Sequence, residues 1–179
     1  LKFMKKDHDL AQAYQAIDRL HEAGLIYDAH IMTGVAGKGR GMENAEALAQ
    51  FLNRTNPAHV VNFSMFLHKE VPLYQDIRQG TFVPADELET IREEYHLIER
   101  IAPEKAGANI LYDGFHGFIH VRVRGHLPGD KEKMLAKLNG IIQEYEGKEP
   151  VYSFVQGECP DLEYCDDGKA VWDMDRKTS

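Results

Sequence analysis

The chain has 179 residues, 43% of them hydrophobic, and a formal charge of −8 with its nine histidines counted neutral. That is enough for one compact domain with a real core, and it speaks against binding nucleic acid through bulk charge. No apolar run approaches the roughly 20 residues of a membrane helix, no signal peptide is visible, and two cysteines, Cys159 and Cys165, do not make a disulfide scaffold, so the expected compartment is the cytosol.

The chain opens on Leu1, with Met4 in the lead to a helix, and reads as a piece of something longer. Leu10, Tyr14, Ile17 and Leu20 share one face at helical spacing; Asp7 or Asp9 can cap the start and Gly24 the end. "LIYDAHIMT" reads as a short, largely buried strand. A loop with Gly34, Gly37, Gly39 and Gly41 follows, and Ala45, Leu48, Ala49 and Leu52 then restore the helical period. "NPAHVVNFSMFLH" gives a turn and a second apolar strand, and "VPLYQDIRQG" a short helix or turn closed by Gly80. "PADELETIREEYHLIERIAP" is the clearest helix: Leu88, Ile91, Tyr95 and Ile98 line one side, acids occupy the first turn and Pro103 lies past the end. "FIHVRVRG" alternates strictly, as a half-buried strand does. "PGDKEKMLAKLNGIIQEYEG" predicts a last amphipathic helix, "VYSFVQ" a further strand, and residues 157–179 a loose acidic tail. Helices alternating with apolar strands predict an α/β domain over residues 1–156, its strands mainly parallel and joined by crossover helices.

A strand, a glycine loop and a helix in succession have the general shape of an anion site. The spacing G-x-x-G-x-G-x-G fits neither the dinucleotide fingerprint nor the P-loop, and Lys38 is not followed by Ser or Thr. A bound phosphate, a tight turn and close backbone approach to a flat ligand all stay open. Glu43 and Glu46 form an i, i+3 surface pair, but Glu43 also stands at the helix start beside the loop. His30, opposite Ile31 in its strand, reads as a core histidine or as a group facing a ligand. "HGFIHVRVRGH" gathers His116, His120, Arg122, Arg124 and His126, with His120, Arg122 and Arg124 on one face and Ile119, Val121 and Val123 on the other. That face is solvated, a basic surface for an acidic substrate, or a metal site, although the histidines have no fixed carboxylate partner in sequence. "CPDLEYC" falls short of a zinc site, so no metal is expected there.

In order and spacing, "RLHEAGLIYDAHIMTGVAGKG", "ENAEALAQFLNRTNPAHVVNFSMFLHKEVPLYQDIRQGTF" and "RVRGHLPGDKEKML" resemble the second half of a radical SAM barrel. The similarity is to oxygen-independent coproporphyrinogen oxidase-like and Elp3-like proteins, and it runs from about Leu1 to about Ile142. Gly34, Gly37, Glu43 and Asn44 match the family's G-x-x-G loop and the Glu-Asn pair after it. "HKEVPLYQ" stands where the family has P-G-T-P-L-Y, with Glu70-Val71 in place of Gly-Thr. The family's cluster motif, C-x-x-x-C-x-x-C, is absent. The resemblance implies the C-terminal portion of a TIM-like (β/α) barrel. In it Gly34, Gly37, Glu43 and Asn44 would help hold S-adenosylmethionine, and the [4Fe–4S] cluster would lie in the missing N-terminal half. The chain alone would then be inactive, hold no cofactor, and tend to self-associate through exposed strand edges, with no nucleic acid or membrane as partner. A small α/β ligand-binding or interaction domain without catalysis is the alternative.

Overall fold

The computed structural model describes residues 6–116 and 121–153. It is an α/β structure with five helices and one four-stranded sheet among the described residues. In chain order these are α1 (Leu10–Glu22), β1 (Asp28–Thr33), α2 (Gly41–Thr55), β2 (His59–Ser64), α3 (Pro72–Arg78), α4 (Glu87–Arg100), β3 (Ile110–His116), β4 (Val121–Leu127) and α5 (Lys131–Tyr145). The strands stand in the order β1-β2-β3-β4; β1, β2 and β3 are parallel neighbours, and β4 runs antiparallel to β3.

Local chemistry sets the element ends. Asp9 caps α1 through a capping box with Gln12, and the Asp86 side chain accepts from the Glu89 amide at the start of α4. Pro72 occupies the first turn of α3, where its missing N–H costs nothing.

The helical layer lies on one side of the sheet. Inward-facing Val60, Ile110, Tyr112, Val123 and Leu127 are buried with Ala45, Ala49 and Leu52 of α2, Ile91, Leu97 and Ile98 of α4, and Met134 and Leu138 of α5. A smaller cluster of Met65, Leu67, Ile77, Phe82 and Tyr152 packs beyond the carboxyl ends of β1 and β2. The opposite face of the sheet carries no layer among the described residues. Met32 and Phe63, on that face, are 39% and 37% exposed.

Several expectations change. The first strand is not largely buried but alternates, because only one of its faces is covered. Of the strand expected at "FIHVRVRG", residues 118–120 lie outside the described residues; β4 is Val121–Leu127 and pairs antiparallel, and β3 just before it was not anticipated. Residues 151–153 form no strand, and the rest of "VYSFVQ", the acidic tail and both cysteines lie outside the described residues.

Candidate functional site

The chemically distinctive part of the molecule lies behind the carboxyl ends of the parallel strands, and α4 builds it. Glu87, Thr90, Ile91, Glu94, Leu97 and Ile98 form the stripe that α4 turns inward, and Glu93 flanks it. Three glutamates are therefore buried along one helix. Isolated buried carboxylates are costly, so each must find partners.

Glu94 finds the most. His116 Nε2 lies 2.8 Å from its Oε2, while Asn62 Nδ2 donates to Oε1 at 3.0 Å and Tyr112 Oη donates to the same oxygen at 2.9 Å. The inward strand position Gly114 makes room for it, since a Cβ there would overlap the carboxylate. The other ring nitrogen of His116, Nδ1, lies 3.5 Å from Glu87 Oε2. Glu87 Oε1 accepts from Ser64 at 3.4 Å and from Ser153. The His116 and Glu94 side chains are both 0% exposed.

Burial alone would drive His116 toward its neutral form, but the two carboxylates prevail and raise its pKa to about 9. Burial likewise pushes Glu94 up, and the charge and hydrogen bond of His116 outweigh it, so Glu94 sits below the usual carboxylate range. The triad Glu87–His116–Glu94 is thus a charged imidazolium clamped between acids. It has no route to solvent, so its chemistry is that of a brace, fixing α4 against β2 and β3.

Glu93 performs the second connection. Its Oε2 accepts from the Gly34 amide at 3.0 Å, and its Oε1 from Asn44 Nδ2 at 2.6 Å. Burial raises its pKa to about 7, against the lowering effect of these two bonds. The carboxylate ties the glycine loop, the start of α2 and α4 together.

The glycines themselves serve this packing. Gly34 and Gly37 have φ of +84° and +81°, where a side chain is strained. A Cβ on Gly34 would lie 2.9 Å from Thr90 Cγ2, and one on Gly37 would lie 2.8 Å from the Val83 carbonyl oxygen. The loop amides are engaged as well: Gly37 donates to Gly34 O, Lys38 to Val83 O, Gly39 to Glu89 Oε1 and Arg40 to Gly37 O. Of the three readings open at the sequence, the turn is the one these contacts require. Glu43 stands apart from the cluster, ion-paired with Arg40 at 2.8 Å on the exposed surface.

The arginines belong to the other side of the sheet. Arg122 grips Asp113 through two bonds, Nε to Oδ1 at 2.8 Å and Nη2 to Oδ2 at 2.6 Å, and holds that carboxyl below its usual range. Arg124 Nε lies 3.6 Å from the same Oδ2. His116 is not with them, because its ring points to the helical side, and His120 lies outside the described residues. His30 is exposed on the arginine side rather than in the core.

Gly34 and Asn44 thus meet on Glu93, and Arg122 and Arg124 meet on Asp113, as two separate constellations. Glu87, Glu93, Glu94, Asn62 and Tyr112 escaped the sequence reading. A signal was there: Glu87, Ile91, Glu94 and Ile98 share one helical face, so acids stand in phase with the apolar stripe. Among the described residues no group of three His, Cys, Asp or Glu side chains could hold a metal ion, and no helix is long and apolar enough to cross a membrane. Compared with family models, curated proteins and solved structures, the chain matches none.

Proposed function

We propose that the chain is a partial (β/α) barrel, the C-terminal portion of a TIM-like barrel of the radical SAM kind, related to oxygen-independent coproporphyrinogen oxidase-like and Elp3-like proteins. The parent would be an oxidoreductase that binds S-adenosylmethionine and a [4Fe–4S] cluster; this portion alone would be inactive.

The observation that carries this reading is the incomplete β1 side of the molecule. Among the described residues β1 pairs with β2 only, and α1, the helix that precedes it in the chain, has no strand of its own. α1 rests on α2 through Tyr14 and Phe51, whose rings are 5.4 Å apart. Of its apolar face, Ile17 is buried while Leu10 is 50% exposed. An α-helix in a βα series covers the strand before it, and that strand would restore both the edge and the helix face. At the other edge, antiparallel β4 ends the parallel run, so further parallel units would join at β1. The alternative, a small α/β binding domain without a cluster, leaves the β1 edge and the open flank of α1 unexplained.

The donor set does not fit the cluster. Such clusters are held by cysteine thiolates, the chain has two cysteines, and neither lies among the described residues. For S-adenosylmethionine the loop offers shape rather than donors, because the Gly34 amide and the Asn44 side chain are both engaged by Glu93. Gly34, Gly37 and Asn44 would then set the wall of the site, with the direct contacts made elsewhere in the parent.

The test is anaerobic reconstitution with iron and sulfide of two proteins, this chain and the product of its whole reading frame. The larger protein is expected to take up a cluster and to bind S-adenosylmethionine, and this chain to take up none. Stoichiometric iron in this chain, lost on Cys159→Ser, or none in the larger protein, overturns the proposal.

A further inference from the structure

The open face of the sheet is ordered by register. Met32 of β1 pairs with Phe63 of β2, Phe63 with Phe115 of β3, and Phe115 with Arg122 of β4. Residues paired in this way point to the same side of a sheet. The four side chains therefore form one row across the face, one position inside the carboxyl ends of the three parallel strands.

The row has a direction. The Phe63 and Phe115 rings are stacked, with centroids 5.4 Å apart and planes 16° from parallel. The Arg122 guanidinium continues the stack, 4.9 Å from the Phe115 centroid. The sequence across the sheet is thus thioether, ring, ring, cation. Arg124 stands two residues along β4 on the same face, and both arginine side chains are 53% exposed. Two guanidiniums share the single carboxylate of Asp113, so the β4 end keeps an excess positive charge although the chain carries −8 overall.

We propose that this row binds a small ligand with a flat aromatic ring and an acidic group. The ring lies against the exposed edges of Phe63 and Phe115, in the edge-to-face contact that aromatic groups favour. The acid lies against Arg122 and Arg124. Arg122 is already aligned by Asp113 and Phe115, so little side-chain freedom is lost on binding. The position agrees with the general rule for α/β sheets, where ligands sit at the carboxyl ends of parallel strands. Strands are about 4.8 Å apart, so from Phe63 to Arg122 the row spans about 10 Å, the length of a bicyclic acid. The inference does not need the barrel reading, because the row is complete within this chain.

The experiment uses two probes of one shape, 2-naphthoate and the neutral 2-naphthylmethanol, titrated into the isotope-labelled chain and followed by NMR. The ring signals of Phe63 and Phe115 and the Arg122 side chain are expected to shift with naphthoate, which should bind at least tenfold more tightly than the alcohol. Arg122→Gln should remove that preference, with Arg124 still beside Asp113 and the amide spectrum otherwise preserved; Arg124→Gln is the second variant and should weaken the acid alone. Phe63→Ala should weaken both probes. Equal affinities, shifts confined to other surfaces, or a row buried against a second copy of the chain at all concentrations would each overturn the proposal.

Discussion

Glu93 is the residue on which the geometry of the glycine loop turns. Its pKa rises in the fold from 4.5 to about 7, so the fold prefers the protonated carboxyl. The stability this contributes is present below pH 4.5 and lost as pH rises through about 7. His116 is raised from 6.5 to about 9; its contribution is complete below pH 6.5 and lost as pH rises through about 9. Each shift corresponds to about 3 kcal/mol at most. Thermal melts should therefore fall in two stages between pH 5 and pH 9. Glu93→Gln should erase the lower stage and leave the upper one. Gly34→Ala, strained at φ +84° and pressed against Thr90, should instead lower stability by about 2 kcal/mol at every pH. An unaltered pH profile in Glu93→Gln would contradict this account of the loop. The need for glycine at Gly34 and Gly37 was legible in the sequence, but its cause was not, because Thr90 and Val83 are distant in the chain and only folding brings them near.

At the scale of elements, the helices were the legible part. α1, α2, α4 and α5 each show a 3.6-residue period; that of α2, α4 and α5 meets the sheet's covered face, and that of α1 meets α2. The inward stripe of α4 was legible only in part: Ile91 and Ile98 are in the core and Tyr95 packs against it, but the polar members Glu87, Thr90 and Glu94 are invisible to a search for apolar periodicity. β3 was missed for a related reason: its inward face reads Ile110, Tyr112, Gly114, His116 and its other face Leu111, Asp113, Phe115, so a glycine, a histidine and an aspartate break the apolar pattern. The strand pattern around Arg122 and Arg124 gave the alternation but not its sense, since a period of two cannot distinguish antiparallel from parallel pairing. β1 carries the main consequence at this scale. Its outer edge, six residues long and without a partner strand among the described residues, is a template for another strand. A dimer formed through β1 edges is expected to grow with concentration in light scattering, with slowed amide exchange over Asp28–Thr33. A monomer at all concentrations, with those amides exchanging freely, would contradict it.

Among the described residues the whole molecule is a sheet covered on one face. Its apolar core lies between the strands and α2, α4 and α5, braced by the Glu87–His116–Glu94 triad, while the other face shows a row of rings and arginines. Composition and helix–strand alternation made the α/β class legible. They could not show that one face stays open, because an alternating strand looks the same whether its outer face meets water, a ligand or a missing layer. Further βα units joined at β1, as proposed, would account for the open face, the β1 edge and the half-covered α1 seen among the described residues. Reading the coding sequence upstream of Leu1 tests this most directly. The account predicts, in the same frame, further strand–helix units preceded by three cysteines spaced C-x-x-x-C-x-x-C. A reading frame that lacks both the motif and any further βα unit would contradict it.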